Sequence, residues 1–126
     1  MNEQQPFEAI KNRDEAGREY WSARALAKLL EYSEYRHFNP MIIKATEACA
    51  NSGHAISDHF EEILAMVQIG SGAQRELKDI KLSRYACYLV VQNGDPSKPV
   101  IAAGQTYFAL QTRRQGFLLR RKVFSS

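Results

Sequence analysis

Residues 82–114, LSRYACYLVVQNGDPSKPVIAAGQTYFALQTRR, contain the pattern that decides the fold. An apolar segment over residues 85–91 is interrupted by Asn93, Gly94 and Asp95, and a second apolar segment follows before two arginines. Because the interruption has the composition of a turn, the stretch predicts two consecutive helices. Their apolar faces belong in a core, and basic residues lie at their ends.

The first of these helices has a clear beginning and end. Ser83 occupies the N-cap position, and Gly94 ends the helix. Since residues 85–91 are apolar on every side, we predict that this helix is central and buried. Three of its side chains are expected to be nearly free of solvent contact: Tyr88, Leu89 and Val91.

The second helix is predicted to begin at Ser97, because Pro99 then falls in the first turn, where its missing N–H is harmless. In that register one face of the helix is apolar and consists of Val100, Ile101, Gly104, Tyr107 and Phe108. Arg113 points away from this face, whereas Lys98 and Arg114 lie toward its edges. The pair of helices is therefore an apolar core unit with basic ends.

The length and composition are those of a single folded domain. The chain has 126 residues, of which 44% are hydrophobic and 25% are charged, as in ordinary globular proteins. No apolar run approaches the roughly 20 residues of a membrane-spanning helix, and residues 1–10 lack the basic and apolar segments of a secretory signal. Cys49 and Cys87 lie among apolar neighbours, as free thiols do. We therefore predict a cytoplasmic protein with no membrane partner.

Before residue 82 the patterns predict shorter elements. Residues 7–11 and 18–21 flank a polar loop and predict a short hairpin. Ser22 is the N-cap of a helix that ends near Glu31. Residues 63–69 and 75–81 are expected to pair across a glycine turn as a second hairpin, although the first of these segments also fits a helix.

A longer helix is predicted between these hairpins and ends at Gly53. One possible start has Asn39 as the N-cap and Pro40 in the first helical position. The other has Ser33 as the cap, which places Pro40 inside the helix, where it introduces a kink. We prefer the start at Asn39.

The charges are unevenly distributed along the chain. Up to Asp95 there are eleven Lys and Arg residues against fourteen Asp and Glu, and beyond it there are six basic residues and no acidic one. A basic segment of this kind indicates a polyanionic partner such as a nucleic acid, because phosphate binding releases counterions. A solvated basic end without a partner is the alternative that composition leaves open.

Seven basic side chains are candidate nucleic-acid ligands. The segment from Ser22 to Gly53 is compatible with a helix-turn-helix, which would place two of them near a groove, and a third lies beside the backbone N–H groups of the glycine turn GSGAQRE. The others converge if the helices of residues 82–114 pack antiparallel. The candidates are Arg36, Lys44, Arg75, Arg84, Lys98, Arg113 and Arg114. For Arg84 the alternative is an ion pair with Asp79 or Asp95.

The sequence contains no pattern that predicts catalysis. No pair among the three histidines and Cys49 shows the C-x-x-C, H-x-x-x-H or H-E-x-x-H spacing of metal sites. The acidic residues around His59 match the first turn of a helix better than an acid-base pair, and the glycine turn lacks the ending of a phosphate-binding loop. We therefore predict no catalytic residue, no metal, no cofactor and no enzymatic activity.

Several linked segments carry a resemblance to a known family. They are YWSARALAKLLEY, ACANSG with SDHFEE, GSGAQRE, and LSRYACYLVVQNGDPSKPVIAAGQTYFALQTR. Together they resemble the N-terminal part of the bacterial DNA-damage-inducible protein D family, which has a domain of the BRO N-terminal type, related to phage antirepressors. The resemblance covers residues 7–115.

The resemblance implies a compact α+β domain over residues 1–115, with four or five helices and short β-hairpins. Against the family pattern, residues 116–126 are expected to be a basic tail that is truncated or altered. The resemblance also implies induction in the DNA-damage (SOS) response, association with DNA or with DNA-bound proteins, and no established catalytic chemistry.

Two functions are consistent with these expectations. The preferred one is a non-enzymatic regulatory module that binds DNA, either single- or double-stranded. The alternative is an antirepressor-like module that binds a repressor or a recombinase filament through exposed aromatic side chains. The aromatic residues suggested for that surface are Tyr32, Tyr35 and Tyr107.

Overall fold

The protein is an α+β domain built on a four-stranded antiparallel sheet, as predicted. A computed structural model describes residues 5–110, and the predicted tail, together with Arg113 and Arg114, lies outside these residues. The helices are α1 (Gln5–Ala9), α2 (Ala23–Leu29), α3 (Tyr35–Asn51), α4 (Arg84–Gln92) and α5 (residues 99–110), with a 3₁₀ turn at Ile56–Asp58. The strands are β1 (Asn12–Arg13), β2 (Glu19–Ser22), β3 (Phe60–Ile69) and β4 (Ala73–Leu82).

The sheet joins two hairpins of unequal length in the order β1-β2-β4-β3. The short hairpin is β1–β2, and the long hairpin is β3–β4, whose strands have ten residues each. The two hairpins meet where Trp21 pairs with Leu82 and Ser22 with Lys81. Most of the long hairpin therefore extends beyond this junction as a two-stranded ribbon.

The core is centred on Trp21, which is fully buried at the junction of the two hairpins. Its ring packs edge-on against Phe108 of α5, with 5.1 Å between the ring centroids. The indole Nε1–H donates a hydrogen bond of 2.9 Å to the carbonyl of Phe7. Burial of large aromatic side chains contributes strongly to stability, so Trp21 holds the sheet, α1 and α5 together.

Both predicted serine caps are confirmed. Ser22 accepts a hydrogen bond from the N–H of Ala25 at 3.2 Å, and Ser83 accepts one from Ala86 at 3.0 Å. The second hairpin is also confirmed, and the helical alternative for residues 63–69 is excluded. The apolar face predicted for α5 is buried, apart from Val100 at its N-terminal end, which is half-buried.

The preferred start of α3 at Asn39 was wrong. The helix begins at Tyr35 after Glu34, so Pro40 lies inside it, as in the alternative, although Ser33 is not the cap. The physical reason is the complete burial of Phe38, which draws the preceding turn into the helix. Because Pro40 has no N–H, the carbonyl of the residue four positions earlier receives no helical hydrogen bond.

The first arm of the short hairpin was also predicted wrongly. Residues 5–9 form α1, and the strand that pairs with β2 is Asn12–Arg13. Phe7 is fully buried, and its ring contacts Tyr107 and Phe108. These aromatic partners lie about a hundred residues away in the chain, so no local pattern indicates that this segment packs as a helix.

Two predictions about α4 and α5 need smaller corrections. Val91 is buried, but Tyr88 and Leu89 are only half-buried, because α4 presents one side to the core rather than lying at its centre. A cap at Ser97 would make Lys98 the first residue of α5. The helix instead begins one residue later, at Pro99. Proline is favoured in the first helical position. None of the helices described in residues 5–110 is long and apolar enough to cross a membrane.

Candidate nucleic-acid interface

Two of the predicted basic residues lie on the exposed side of α3. The side chain of Arg36 is 75% exposed in the first turn, and Lys44 is exposed about two turns further along. A separation of eight residues corresponds to about 12 Å along a helix. Arg36 donates a hydrogen bond of 2.7 Å from Nε to Glu34, but both side chains are exposed, so this ion pair is weak and exchangeable.

The connection between α2 and α3 brings cations onto two tyrosine rings. Nζ of Lys98 lies 5.4 Å from the ring centroid of Tyr32, and the guanidinium of Arg24 lies 4.4 Å from that of Tyr35. Both rings are half-buried and pack against Phe38. We call this surface the α2–α3 corner, and its members are Arg24, Tyr32, Tyr35, Arg36 and Lys98.

A Schellman motif fixes the position of Tyr32 in the corner. The N–H of Tyr32 donates to the carbonyl of Ala27, and that of Glu31 donates to Lys28, each at 3.0 Å. Glu31 has φ 69°, the left-handed conformation that glycine usually occupies at this place. The chain therefore turns sharply after α2 at some cost in backbone energy, and Tyr32 is directed back toward α3.

The other side of the corner is held by the long hairpin. Asp79 of β4 is buried, and its carboxylate accepts hydrogen bonds from the Ser22 hydroxyl and from the backbone N–H of Arg24 at 3.1 Å. The Nε–H of Arg24 donates to the carbonyl of Lys78 at 2.6 Å. The N-terminus of α2 and the side chain of Arg24 are thus both attached to β4, which limits the conformations that Arg24 adopts.

Arg84 lies inside the domain rather than on this surface. It is 6% exposed, and its Nε and Nη2 each donate a hydrogen bond of 2.8 Å to the carboxylate of Glu19. Burial is the largest influence and lowers the pKa of Arg84, but the hydrogen bonds with Glu19, the charge of Glu19 and the neighbouring Tyr107 together outweigh it, so the pKa is raised. The alternative predicted for Arg84, an ion pair with an acidic side chain, is confirmed, but the acid is Glu19 and not Asp79 or Asp95, which were given as examples. A guanidinium enclosed in this way is not available to a phosphate.

Arg75 lies far from the corner. It pairs with Val67 near the tip of the long hairpin, next to the turn in which Gly70 and Gly72 have positive φ. Seven residues of β4 separate it from Leu82, which corresponds to roughly 23 Å of extended strand. The structure therefore brings together Arg36 and Lys98 among the candidates, with Lys44 on the adjoining side of α3, and places Arg75 elsewhere.

The sequence did not indicate that Arg24 belongs to this surface. It also did not indicate that the rings of Tyr32 and Tyr35 would contact cations. The tyrosines were proposed as exposed protein-binding residues, together with Tyr107. Tyr107 is only 4% exposed, and burial together with its hydrogen bond to Glu8 raises its pKa to about 12. Arg24 lies two residues after the Ser22 cap. Nothing in this local pattern indicates that its side chain contacts the ring of Tyr35, eleven residues further along the chain.

A second group of polar side chains lies beside a cleft of about 660 Å³ between the short hairpin and the start of α4. Nδ1 of His59 is 2.7 Å from Oγ of Ser83, and the rings of His54 and Tyr85 pack against His59. Burial, and next the neighbouring His54, lower the pKa of His59. Ser83 already caps α4, so its oxygen is engaged in holding the helix.

Within residues 5–110 no three His, Cys, Asp or Glu side chains are grouped so that they could bind one metal ion. The His59–Ser83 hydrogen bond joins the residue before β3 to the N-cap of α4.

The profile of the BRO family N-terminal domain matches residues 9–109. The chain is also 74% identical over 116 residues to DNA damage-inducible protein D of Escherichia coli strain K12. That alignment covers 91% of this chain and 42% of the length of the relative. No solved structure matches the chain. The profile match spans nearly all of the described fold, and the chain therefore belongs to the BRO family through its N-terminal domain.

Proposed function

We propose that this domain is a non-enzymatic regulatory module of the bacterial DNA-damage response and that it binds nucleic acid through the α2–α3 corner and the exposed side of α3. One observation carries the proposal: Arg24 and Lys98 lie against two half-buried tyrosine rings that both pack against Phe38, and Arg36 is exposed in the first turn of the same helix. Cations that contact a phosphate backbone beside aromatic rings are the usual elements of a nucleic-acid surface.

The geometry of the corner supports phosphate binding because two of its three cations are held in place. Arg24 is fixed by the carbonyl of Lys78 and by the Tyr35 ring, and Lys98 rests on Tyr32. A side chain that is already ordered loses less conformational entropy on binding. Lys44 is exposed on the adjoining side of α3, so a strand that contacts the corner has a further cation about two helical turns away from Arg36.

The charge of the domain sets the expected strength of this interaction. Residues 5–110 contain twelve Lys and Arg against thirteen Asp and Glu, so long-range attraction of a polyanion is weak for this part of the chain. Binding by the domain therefore depends on local contacts with a few phosphates. The five basic residues after position 110 add charge, and they lie outside the described residues.

The assignment to the DNA-damage response rests on the similarity to the E. coli protein. The E. coli protein is named as DNA damage-inducible, and 91% of this chain aligns with it at 74% identity. This supports the assignment to the damage response. Because the aligned part is 42% of that protein, the role proposed here concerns the domain and not the whole relative.

The test is a titration of labelled single- and double-stranded oligonucleotides by fluorescence anisotropy at several salt concentrations. If Arg24, Arg36, Lys44 and Lys98 each neutralise one phosphate, the slope of log affinity against log salt is about −3 to −4. The double substitution R36A/K98A is expected to flatten it by about two units. Arg18→Ala removes one charge from an 80% exposed side chain in the β1–β2 turn and serves as the control, with an unchanged slope.

Binding that persists in R36A/K98A with an unchanged slope would show that the corner is not the interface. Comparison of single- and double-stranded oligonucleotides also assigns the form that is bound. A preference for single strands fits stacking on Tyr32 and Tyr35, and in that case a Tyr32→Ala variant is expected to lose more affinity for single strands than for duplex.

A protein-interaction role remains the second candidate, because the near-neutral charge of residues 5–110 suits a protein surface as well as a nucleic-acid one. Here the domain would bind a DNA-bound repressor or a recombinase filament in the manner of an antirepressor, with Tyr32 and Tyr35 in the contact. Tyr107 is removed from this surface by its burial. Absence of binding to both oligonucleotides at low salt would favour this candidate.

A further inference from the structure

The outer strand of the sheet, β3, has no partner on one side among residues 5–110. The order β1-β2-β4-β3 leaves it at the edge, and the only strand with which it pairs among residues 5–110 is β4. No other described segment forms a backbone hydrogen bond with residues 60–69. A row of N–H and C=O groups ten residues long is therefore available for another strand.

This edge lacks the features that usually prevent strand pairing. Residues 63–69 have the sequence ILAMVQI, which contains no charge and no proline. The register with β4 is continuous from Phe60↔Leu82 to Ile69↔Ala73, so no bulge twists the edge away. Natural edge strands are generally shortened, charged, bulged or covered. In β3 the charged residues are Glu61 and Glu62 at its start, and residues 63–69 show none of these features in the part of the chain that the structure describes.

The side chains of β3 are apolar on both faces of the ribbon. Leu64 and Met66 lie on one face and are 62% and 58% exposed, and Ile69 on the other face is 47% exposed. A two-stranded hairpin without a further layer or strand is marginally stable in water. An additional strand at the β3 edge would shield these side chains and extend the sheet.

We propose that the β3 edge pairs antiparallel with the β3 edge of a second copy of this chain. A two-fold axis beside Ala65 puts Ala65 opposite its own copy, Leu64 opposite Met66, and Ile63 opposite Val67. Apolar side chains then face apolar side chains on both faces of the combined sheet. A closed two-fold arrangement of this kind is the commonest form of homo-oligomer.

The charges at the two ends of β3 favour this partner. Glu61 and Glu62 lie at the start of the strand, whereas Arg75 and Glu76 lie side by side near the tip of the hairpin and add no net charge there. Antiparallel pairing places the acidic end of one copy beside the uncharged tip of the other and keeps the two acidic ends apart, whereas parallel pairing would bring like charges together. The charge distribution thus favours an antiparallel arrangement of two copies.

The proposal is tested on the full chain by sedimentation velocity and by disulfide trapping. The wild-type chain is expected to sediment as a dimer, and L64K/M66K as a monomer with an unchanged far-ultraviolet circular dichroism spectrum, because the two lysines charge the edge. Ile43→Lys on α3, where the native side chain is 52% exposed, is the matched control and is expected to remain dimeric.

Trapping tests the register. Residues opposite each other in an antiparallel pair have Cα atoms about 4.5 to 5.5 Å apart, which is within the range of a disulfide. Ala65→Cys is therefore expected to form a covalent dimer on mild oxidation, whereas Ile43→Cys is not. Cys49 and Cys87 are buried, and burial raises the pKa of both thiols, so they do not compete.

Two results would overturn the proposal. One is a wild-type chain that sediments as a monomer, in particular if the backbone amides of residues 63–67 are protected from hydrogen exchange, since the edge would then be covered by another part of the same chain. The other is a dimer that survives L64K/M66K and is not trapped through Cys at position 65, since the contact between copies would then lie elsewhere.

Discussion

The short hairpin β1–β2 lies in the body of the domain, whereas most of the long hairpin β3–β4 extends away from it. The short hairpin contributes Trp21, which is fully buried, and Glu19, which pairs with the buried Arg84. The ribbon instead carries Leu64 and Met66 with more than half of their surface exposed. Stability is therefore concentrated in the body, and the ribbon has side chains that are free to make contacts outside the domain.

The largest expected effect is the loss of Trp21. Trp21→Ala removes the side chain at the centre of the aromatic core and its hydrogen bond to the Phe7 carbonyl. We expect a loss of about 3 to 5 kcal/mol in the free energy of unfolding, measured by urea denaturation. Leu64→Ala in the ribbon is the counterpart and is expected to cost less than about 0.5 kcal/mol in dilute, monomeric protein.

A cost above about 1.5 kcal/mol for Leu64→Ala under those conditions would contradict the division into a stable body and a free ribbon, because it would mean that the ribbon packs against the domain.

The buried ion pair provides the next test. Glu19→Gln leaves the guanidinium of Arg84 without its carboxylate, and we expect a loss of about 2 to 3 kcal/mol. The hydrogen bond from Arg84 lowers the pKa of Glu19 below its usual 4.5. The stabilisation that the Glu19–Arg84 pair contributes is therefore complete above about pH 4.5. It is lost as the pH falls through the lowered pKa of Glu19 in the folded state.

The measurement is the unfolding free energy of the wild type and Glu19→Gln between pH 7 and pH 2. The difference between the two proteins is expected to shrink as the pH falls. Glu61→Gln, a substitution of a carboxylate on the exposed edge of the ribbon, is the control. A difference that is the same at every pH would mean that the charge of Glu19 does not contribute to stability.

A smaller effect is expected at Asp79, which connects the ribbon to the body. Asp79→Ala removes the acceptor for the Ser22 hydroxyl and for the N–H of Arg24, at a cost of about 1 to 2 kcal/mol. Asp58→Ala, in the exposed 3₁₀ turn, is the matched control and should be nearly neutral. Equal stability of the two variants would show that Asp79 does not hold α2 to β4.

The smallest effect is a gain in stability at Glu31. Glu31→Gly places glycine at the left-handed position of the Schellman motif, and we expect a gain of about 0.5 to 1 kcal/mol in thermal or urea denaturation. Glu34→Gly, at the exposed N-cap position of α3 where the backbone is extended, should give no gain. A loss of stability in Glu31→Gly would mean that the carboxylate makes a favourable contact at this place.

Elements that depend on neighbouring residues were predictable from the sequence. Ser22 and Ser83 were identified as caps because the serine and the N–H that it binds lie three residues apart. The long hairpin was identified from the glycines in its turn. The start of α3 was not, because burial of Phe38 depends on tertiary packing that outweighs the local preference of Pro40 for a first turn.

The candidate site was predictable only in part, for the same reason. Exposed cations such as Arg36, Lys44 and Lys98 can be listed from the sequence, and the structure places them at the surface. Whether a given arginine is free or paired depends on contacts across the fold, and Arg84 has its partner Glu19 at a distance of 65 residues along the chain. Their role in nucleic-acid binding stays a prediction.

The attachment of Arg24 to β4 has a thermodynamic consequence for the two surfaces. Arg24 is held by the carbonyl of Lys78, and Lys78 pairs directly with Leu64 on β3. If the partner strand proposed above orders β3, we expect it also to restrict the acceptor that positions Arg24, so that less entropy is lost when Arg24 contacts an anion. Such coupling is reciprocal, and an anion bound at the α2–α3 corner would increase the affinity of the β3 edge for its partner by the same factor.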